Sequence, residues 1–499
     1  MPTSPVSTTG STPVPLPVPT TVSTPLALTR RTLLGGMAAL ALPSLGFAKD
    51  TLVAASDQAL LGDLEARTFR YFWDTANPAN GLVPDRWPGN PRLASIAAVG
   101  FALTAYVAGV DAGFVTRAAA RERVLVTARF FANAPQGPAF LGTSGYQGFF
   151  YHFLDMETGH RINRHVELSS IDTALLIAGL LCAQSYFDRD EPGEAEIRRL
   201  VDQIYGRVNW PWMQQRGELI CMGWEPTTGF KRFIDYTGYD EAMVLYLLAL
   251  GSPTFPVAPA AWTQFTASYS RSWGSFMGQQ YLGGAPHFFH QYTHVWVDFR
   301  GIQDAYMRER GLDYFENSRR ATLAQQAYAI ANPGGFKDYS AIIWGLTACD
   351  GPGKMKGRDY SGRMRQYFDY RARGAGLKDT ADDGTIAPTA ALASLPFAPE
   401  IVLPTLRDLR ERFGEQIYGR YGFVDAFNTS FRGGNGKLSD GKYVEGFGWV
   451  DTDYIGIDQG PIVAMIANHR NALIWTVMKT NPHLKRGLQR AGFSGGWLA

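Results

Sequence analysis

The chain has 499 residues, 45% hydrophobic, 13% aromatic and 18% charged, with 54 Gly and 29 Pro. That balance excludes a disordered, collagenous or coiled-coil protein and leaves ample chain to bury a core. Lysine and arginine total 47 against 45 aspartate and glutamate. Only Arg30 and Arg31 fall within residues 1–48, which hold no acid, so the rest is charge-balanced and no basic stripe points to nucleic acid.

Residues 1–28 are uncharged and rich in Ser, Thr, Pro and Val. Thr29-Arg30-Arg31-Thr32-Leu33-Leu34 follows, then an apolar run to Phe47 and a small residue, Ala48. Paired arginines before a short apolar stretch fit a twin-arginine export signal. The run is too short, and too interrupted by Gly and Pro, for a membrane span. Residues 1–48 are therefore expected to be a leader cleaved near Ala48, an uncleaved anchor being the alternative. Residues 49–499 are expected to form a single catalytic domain, periplasmic or secreted, with no stable membrane insertion.

From Asp57 onward the apolar spacing is mostly helical. Leu60, Leu64, Phe69 and Phe72 share a face, and Leu93 to Val110 is Ala-rich and apolar nearly all round. Segments near 115–132, 166–187, 193–208, 238–250, 258–279, 313–330, 398–413 and 459–478 repeat the pattern. Alternation of all-round apolar and amphipathic helices predicts an inner and an outer helix layer. Between them lie Gly/Pro/Trp/Tyr/Asp-rich connections such as 221–239, 345–388 and 415–458. No P-loop, GxSxG, HExxH or supported GxGxxG motif occurs. Cys182, Cys221 and Cys349 are odd in number and lack CxxC or close Cys/His spacing, which argues against a disulfide framework or structural zinc.

The chemical signal is carboxylates in apolar, aromatic or glycine-bearing contexts. In chain order these are Glu167 and Asp172 at the entry of an apolar helix, Glu241 after Tyr236-Thr237-Gly238-Tyr239-Asp240, Asp425 within Tyr421-Gly422-Phe423-Val424-Asp425-Ala426-Phe427-Asn428, and Asp458 in Gly456-Ile457-Asp458-Gln459-Gly460-Pro461. Apolar neighbours desolvate the charged form and raise the pKa toward that of a working acid. One such acid beside one kept ionised is what glycosidic cleavage requires. Each acid taken singly reads more readily as a cap or a helix-dipole partner, and it is their number that shifts the balance. Trp224, Tyr236, Tyr239, Trp296, Trp344, Tyr421, Trp449 and Tyr454 sit in or beside polar loops, where aromatic rings stack on the C–H faces of sugars. In the run Pro286 to Arg300, His287, His290, His294 and Asp298 would share a face if helical, beside Arg300. Such a face could hold a metal, but contacts to substrate hydroxyls or to one another are the preferred reading, and no metal or cofactor is expected.

Trp344-Gly345-Leu346-Thr347-Ala348-Cys349-Asp350-Gly351-Pro352, Asp383-Gly384-Thr385-Ile386-Ala387-Pro388-Thr389-Ala390 and Leu395-Pro396-Phe397-Ala398-Pro399-Glu400, with the 421–428 and 456–462 motifs, resemble the bacterial glucoamylase-like domain of glycoside hydrolase family 144. The resemblance spans about 57–495. It implies an all-α fold, an (α/α)6 toroid of inner and outer helices with long functional loops, and an anomer-inverting hydrolase of β-1,2-glucan needing no metal. It makes Glu241 the general acid and Asp425 the base, with Glu167 and Asp458 as alternates for either role. The two working carboxyls would stand about 6.5–9.5 Å apart to admit water. Asp172, Trp224, Tyr236, Tyr239, His287, His290, His294, Trp296, Asp298, Arg300, Trp344, Asp350, Asp383, Tyr421, Asn428, Trp449 and Gln459 are the candidate sugar contacts. The expected substrate is a β-1,2-linked glucan or glucooligosaccharide, attacked endo-wise; exo release of sophorose or glucose, transglycosylation, a glycan-binding protein without turnover, and a polysaccharide lyase are the alternatives. The neutral charge weighs against the lyase, which handles polyanions.

Overall fold

Helices that are buried on every side begin at a short extended segment and pack directly on one another. A computed structural model describes residues 45–499, with side chains from residue 56 onward. The expected export signal lies outside the described residues except for positions 45–48. Val53 to Ala499 is one compact unit.

Ser95 and Ser169 sit in β conformation at the end of short strands, and their hydroxyls accept from the Ala98 and Asp172 amides, opening helices Ile96–Asp111 and Ser170–Tyr186. Strand Tyr454–Ile455 leads in the same way into helix Gly456–Asn471. Alanine and glycine let these helices approach closely. A Cβ on Gly179 would fall on the Gly100 carbonyl, and one on Gly460 would enter the Phe101 ring. Helix Ile96–Asp111 packs on both Ser170–Tyr186 and Gly456–Asn471; Ser170–Tyr186 meets Met243–Gly251; the short helix Tyr292–Trp296 meets Met243–Gly251 and Gly456–Asn471, and Pro388–Leu392 meets Gly456–Asn471.

The amphipathic helices lie outside this set. Arg117–Asn133 and Pro192–Gly206 pack on each other, Pro482–Arg490 covers Met243–Gly251, and Pro399–Ile417 contacts Pro388–Leu392. Their exposed faces carry ion pairs such as Arg129–Glu196, 2.6 Å. The expected alternation of buried and rim helices is therefore present.

Three predicted segments differ. Residues 459–478 fall in two helices, Gly456–Asn471 and Leu473–Lys479, parted at Ala472 with positive φ. Residues 258–279 form only helix Ala260–Thr266 before a 3₁₀ turn, and the antiparallel pair Trp273–Phe276 and Gln279–Leu282 follows. A turn at Met277-Gly278, both with positive φ, forces the chain back. The histidine run is also broken, into a 3₁₀ turn His287–His290 and helix Tyr292–Trp296, with Asp298 beyond its end. Strands are two to four residues long. Among the described residues the three cysteines are free and buried, and no helix is long and apolar enough to cross a membrane.

Candidate active site

The starts of the buried helices converge on one cavity of ≈ 470 Å³, lined among others by Asp85, Arg86, His152, Glu167, Asp172, Tyr236, Glu241, Tyr292 and Tyr370. A four-stranded antiparallel sheet supplies one wall. Phe149–Tyr151 pairs with Leu168–Ser169, which pairs with Gly223–Trp224, so His152, Glu167 and Met222 emerge side by side. His152 Nδ1 bonds Glu167 Oε1 at 2.7 Å, its Nε2 stands 3.6 Å from Asp172 Oδ2, and its ring stacks on Phe153 at 3.8 Å between centroids. The Ser169 hydroxyl also donates to Asp172.

These contacts separate the acids. Burial alone would lower His152, but the Asp172 charge and the Glu167 hydrogen bond outweigh it and raise it to about 9. Burial acts to raise Glu167, yet its bond to His152 and that ring's charge hold it below its ordinary value, so it is ionised near neutrality. Glu241, just before helix Met243–Gly251, has no such partner; burial lifts it to about 7, a backbone bond opposes, and the Asp172 charge adds to the rise. Asp172 is itself raised, by burial first, against the pull of His152. A carboxyl held near 7 beside one kept ionised is the separation that acid and base roles need.

A second acid group is built around strand Arg86–Trp87, which pairs with Tyr454–Ile455. Asp458, in the first turn of helix Gly456–Asn471, lies against Asp425, and the two share a hydrogen bond when one of them is protonated. Asp425 Oδ2 accepts the Asp350 amide at 2.8 Å. Burial, then the Asp458 and Asp350 charges, push Asp425 well above the carboxylate range. Burial lifts Asp458 to about 7, the Asp425 bond drawing it down and the Asp350 and Asp85 charges pushing it up. One proton shared between the two describes the pair. Tyr292 and Tyr370 complete the wall, and the Asp458 charge raises both hydroxyls further than burial alone.

Of the sequence candidates, Glu167, Asp172, Tyr236 and Glu241 line the cavity, while Asp350, Asp425 and Asp458 form the buried acid group beside it. The others lie elsewhere. His287 bonds Ser394 and Thr322, and His294 bonds Ser318, where burial drives both imidazoles down to about 3; His290 is buried with neither side-chain nitrogen partnered. The run turns Phe288 and Tyr292, not its histidines, toward the cavity. Trp296 stacks on Phe101 and donates to Thr104, and Trp344 is fully buried. Asp298 is tied to Arg300 at 2.7 Å and to Lys479 at 2.5 Å. Asp383 holds Arg373 in an ion pair closed to solvent, and Asn428 braces the loop through the Asp383 carbonyl. Trp449 donates to the Asp440 carbonyl, Gln459 to that of Phe423, Tyr421 packs edge-on against Tyr71, and Trp224 packs on Trp212. Tyr239 faces a separate cavity of ≈ 180 Å³. Aromatic residues near loops are recruited into packing because each ring gains by burying its large apolar area.

Sequence reasoning missed Asp85, Arg86, His152, Tyr292 and Tyr370. Asp85-Arg86 sits in Val83-Pro84-Asp85-Arg86-Trp87-Pro88, an acid among apolar and aromatic residues, which is the kind of context that singled out Asp425. Nothing in the sequence marks His152.

A family model described as "Putative glucoamylase" matches residues 234–482. The chain is 28% identical over 469 residues to an "Exo beta-1,2-glucooligosaccharide sophorohydrolase (non-reducing end)" of Parabacteroides distasonis, covering 88% of this chain but 58% of that protein. The chain thus spans well under two thirds of that curated relative. A crystal structure of a "putative glucoamylase" from Bacteroides uniformis is 32% identical, TM-score 0.76, covering 89% of this chain and 99% of that one. The endo-beta-1,2-glucanase of Chitinophaga pinensis, in complex with sophorotriose and glucose, is 26% identical, TM-score 0.74, covering 89% and 99%.

Proposed function

This chain belongs to the family described as "Putative glucoamylase", and from that premise we propose that it is a glycoside hydrolase of β-1,2-linked glucan, of the glycoside hydrolase family 144 type. The succession of buried helices from 96–111 through 456–471 supports an (α/α)6 toroid as its architecture, with residues 49–499 as the catalytic domain. The paired arginines support export by the twin-arginine route to the periplasm or beyond.

The observation that carries the reading is the split of acids around one cavity: Glu241 lifted to about 7 with Glu167 kept ionised, and the Asp425–Asp458 pair sharing one proton. Glu241 gives its proton to the departing glycosidic oxygen as the C1–O bond breaks. Asp425, through its bond to Asp458, draws a proton from water, whose oxygen bonds to C1 from the opposite face and inverts the anomeric centre. Bulk water returns both carboxyls to their starting states. Endo attack is the first reading, supported by the Chitinophaga endoglucanase at 99% coverage. Exo release of sophorose is the second, favoured by the named activity of the Parabacteroides relative.

The test is a panel of linear β-1,2-, β-1,3-, β-1,4- and α-1,4-glucans with fresh product read by NMR. The expected result is cleavage of the β-1,2 polymer alone, with product appearing first as the α-anomer. A ladder of early products marks endo action; sophorose alone marks exo. Tight glucan binding without new reducing ends overturns the hydrolase reading.

A further inference from the structure

The wall beside the candidate base is almost entirely acid. Asp85, Asp350, Asp425, Asp440, Asp451, Asp453 and Asp458 face one another there, and Asp350, Asp425, Asp451, Asp453 and Asp458 are each at most 4% exposed. Asp350 Oδ1, Asp425 Oδ1, Asp451 Oδ2 and Asp458 Oδ2 are buried without a partner. Carboxylates cannot remain charged in such a place uncompensated. Among the described residues Arg86 is the one cation within 4 Å of them, the His152 charge bearing on Asp85 from farther off. Arg86 Nη1 lies 2.7 Å from Asp350 Oδ2, 3.7 Å from Asp440 Oδ1 and 3.7 Å from Asp453 Oδ2, and its Nε is 3.5 Å from Asp85 Oδ2. The other charges nearby are committed: Arg373 to Asp383, and His152 to Glu167 and Asp172. The remaining titratable groups facing the wall, Tyr71, Tyr292, Tyr370 and the Cys349 thiol, are neutral and pushed up by burial.

We infer that Arg86 is a positioning residue for the water-activating carboxylates, its guanidinium being the fixed counter-charge that sets the proton count of the Asp425–Asp458 pair. This rests on the hydrolase reading above. Strand pairing sets Arg86 opposite Ile455, three residues before Asp458, so the counter-charge and the partner of the base are placed by one ladder. The Arg86 charge draws down Asp350, Asp453 and Asp458 against burial. Oxygens of Asp350, Asp440 and Asp453 come within 4.8 Å of one another, as do those of Asp350, Asp425 and Asp451. Arg86 already stands against all three acids of the first trio. The second is the place where a divalent cation would compete with this inference.

The experiment compares wild type, Arg86→Gln and Arg86→Lys in two readouts: rate on linear β-1,2-glucan from pH 4 to 9, and Tm over the same range with EDTA or CaCl2. Losing the guanidinium raises the apparent pKa of the base, so the acidic limb of Arg86→Gln moves up by about one unit and its rate at pH 5 falls about tenfold further than at its optimum. Arg86→Lys, which keeps the charge, shifts less. The Tm deficit of Arg86→Gln widens from pH 5 to 9, because the wall is protonated at low pH and needs its counter-charge only as pH rises. A loss of rate equal at every pH, or a Tm deficit flat with pH, overturns the inference. So does a wild-type Tm raised by calcium and lowered by EDTA, which makes a metal ion the counter-charge. If wild type cleaves no β-1,2-glucan the hydrolase reading falls, and the Tm series alone decides the role of Arg86.

Discussion

Replacing Glu241 by Gln removes the proton that the departing sugar oxygen needs while keeping the shape of the side chain. A positioned general acid contributes about 10²–10⁴ in rate, so hydrolysis of β-1,2-glucan by Glu241→Gln falls by that factor. An aryl sophoroside, whose phenolate leaves without protonation, loses far less, on the order of tenfold or under. Asp425→Asn, which removes the base, loses comparably on both substrates. The wild-type pH profile carries the same signature. With Glu241 at about 7, raised chiefly by burial, about half the molecules hold the proton at pH 7 and about 1% at pH 9, and kcat/KM drops about tenfold per unit above neutrality. The assay is initial rate of reducing-end release for the glucan and nitrophenol absorbance for the aryl glycoside, from pH 5 to 9. Glu241→Gln within twofold of wild type on glucan, or equal losses on the two substrates, refutes the acid assignment; an alkaline limb lying above pH 9 refutes the burial argument behind it.

Other outcomes follow from the packing. Gly179→Ala, whose methyl would strike the Gly100 carbonyl, destabilises by about 1–3 kcal/mol despite alanine's better helix propensity, read as a lower urea midpoint with unchanged m. Cys182, Cys221 and Cys349, all buried, leave the native protein unreactive to a thiol reagent, and three equivalents react in urea; fast native labelling contradicts the burial. His287 and His294 are held neutral by burial with their pKa lowered to about 3. Their stabilising contribution is present above the unfolded value near 6.5 and is lost as pH falls toward 3, so Tm declines across that window, and His294→Gln flattens the slope. Glu167→Gln takes from His152 the carboxylate charge that helps hold it at about 9, and the imidazole NMR titration of that variant moves to lower pH.

The periodicity of the chain carries most of the helical fold, because a helix buried all round must be apolar all round. Ile96–Asp111 and Ser170–Tyr186 are legible for that reason, and so are the amphipathic Pro192–Gly206 and Pro399–Ile417. It fails at 258–279 and across the histidine run, where a turn at Met277-Gly278 and packing of three imidazoles override the local pattern. The acids of the site are legible one at a time, since an aspartate or glutamate at an apolar helix entry is conspicuous in any order of reading. Which of them meet is a different kind of fact. Arg86 reaches Asp350 across 264 positions, and His152 gains its charge from Glu167 and Asp172 only because two short strands lie side by side. Residue type and spacing are local properties of the chain, and they determine which helices form and which side chains carry chemistry. Desolvation and charge coupling act over a few ångströms of space, so only the tertiary structure decides that Glu241 holds a proton, that Glu167 does not, and that eight aromatic and histidine candidates serve the core.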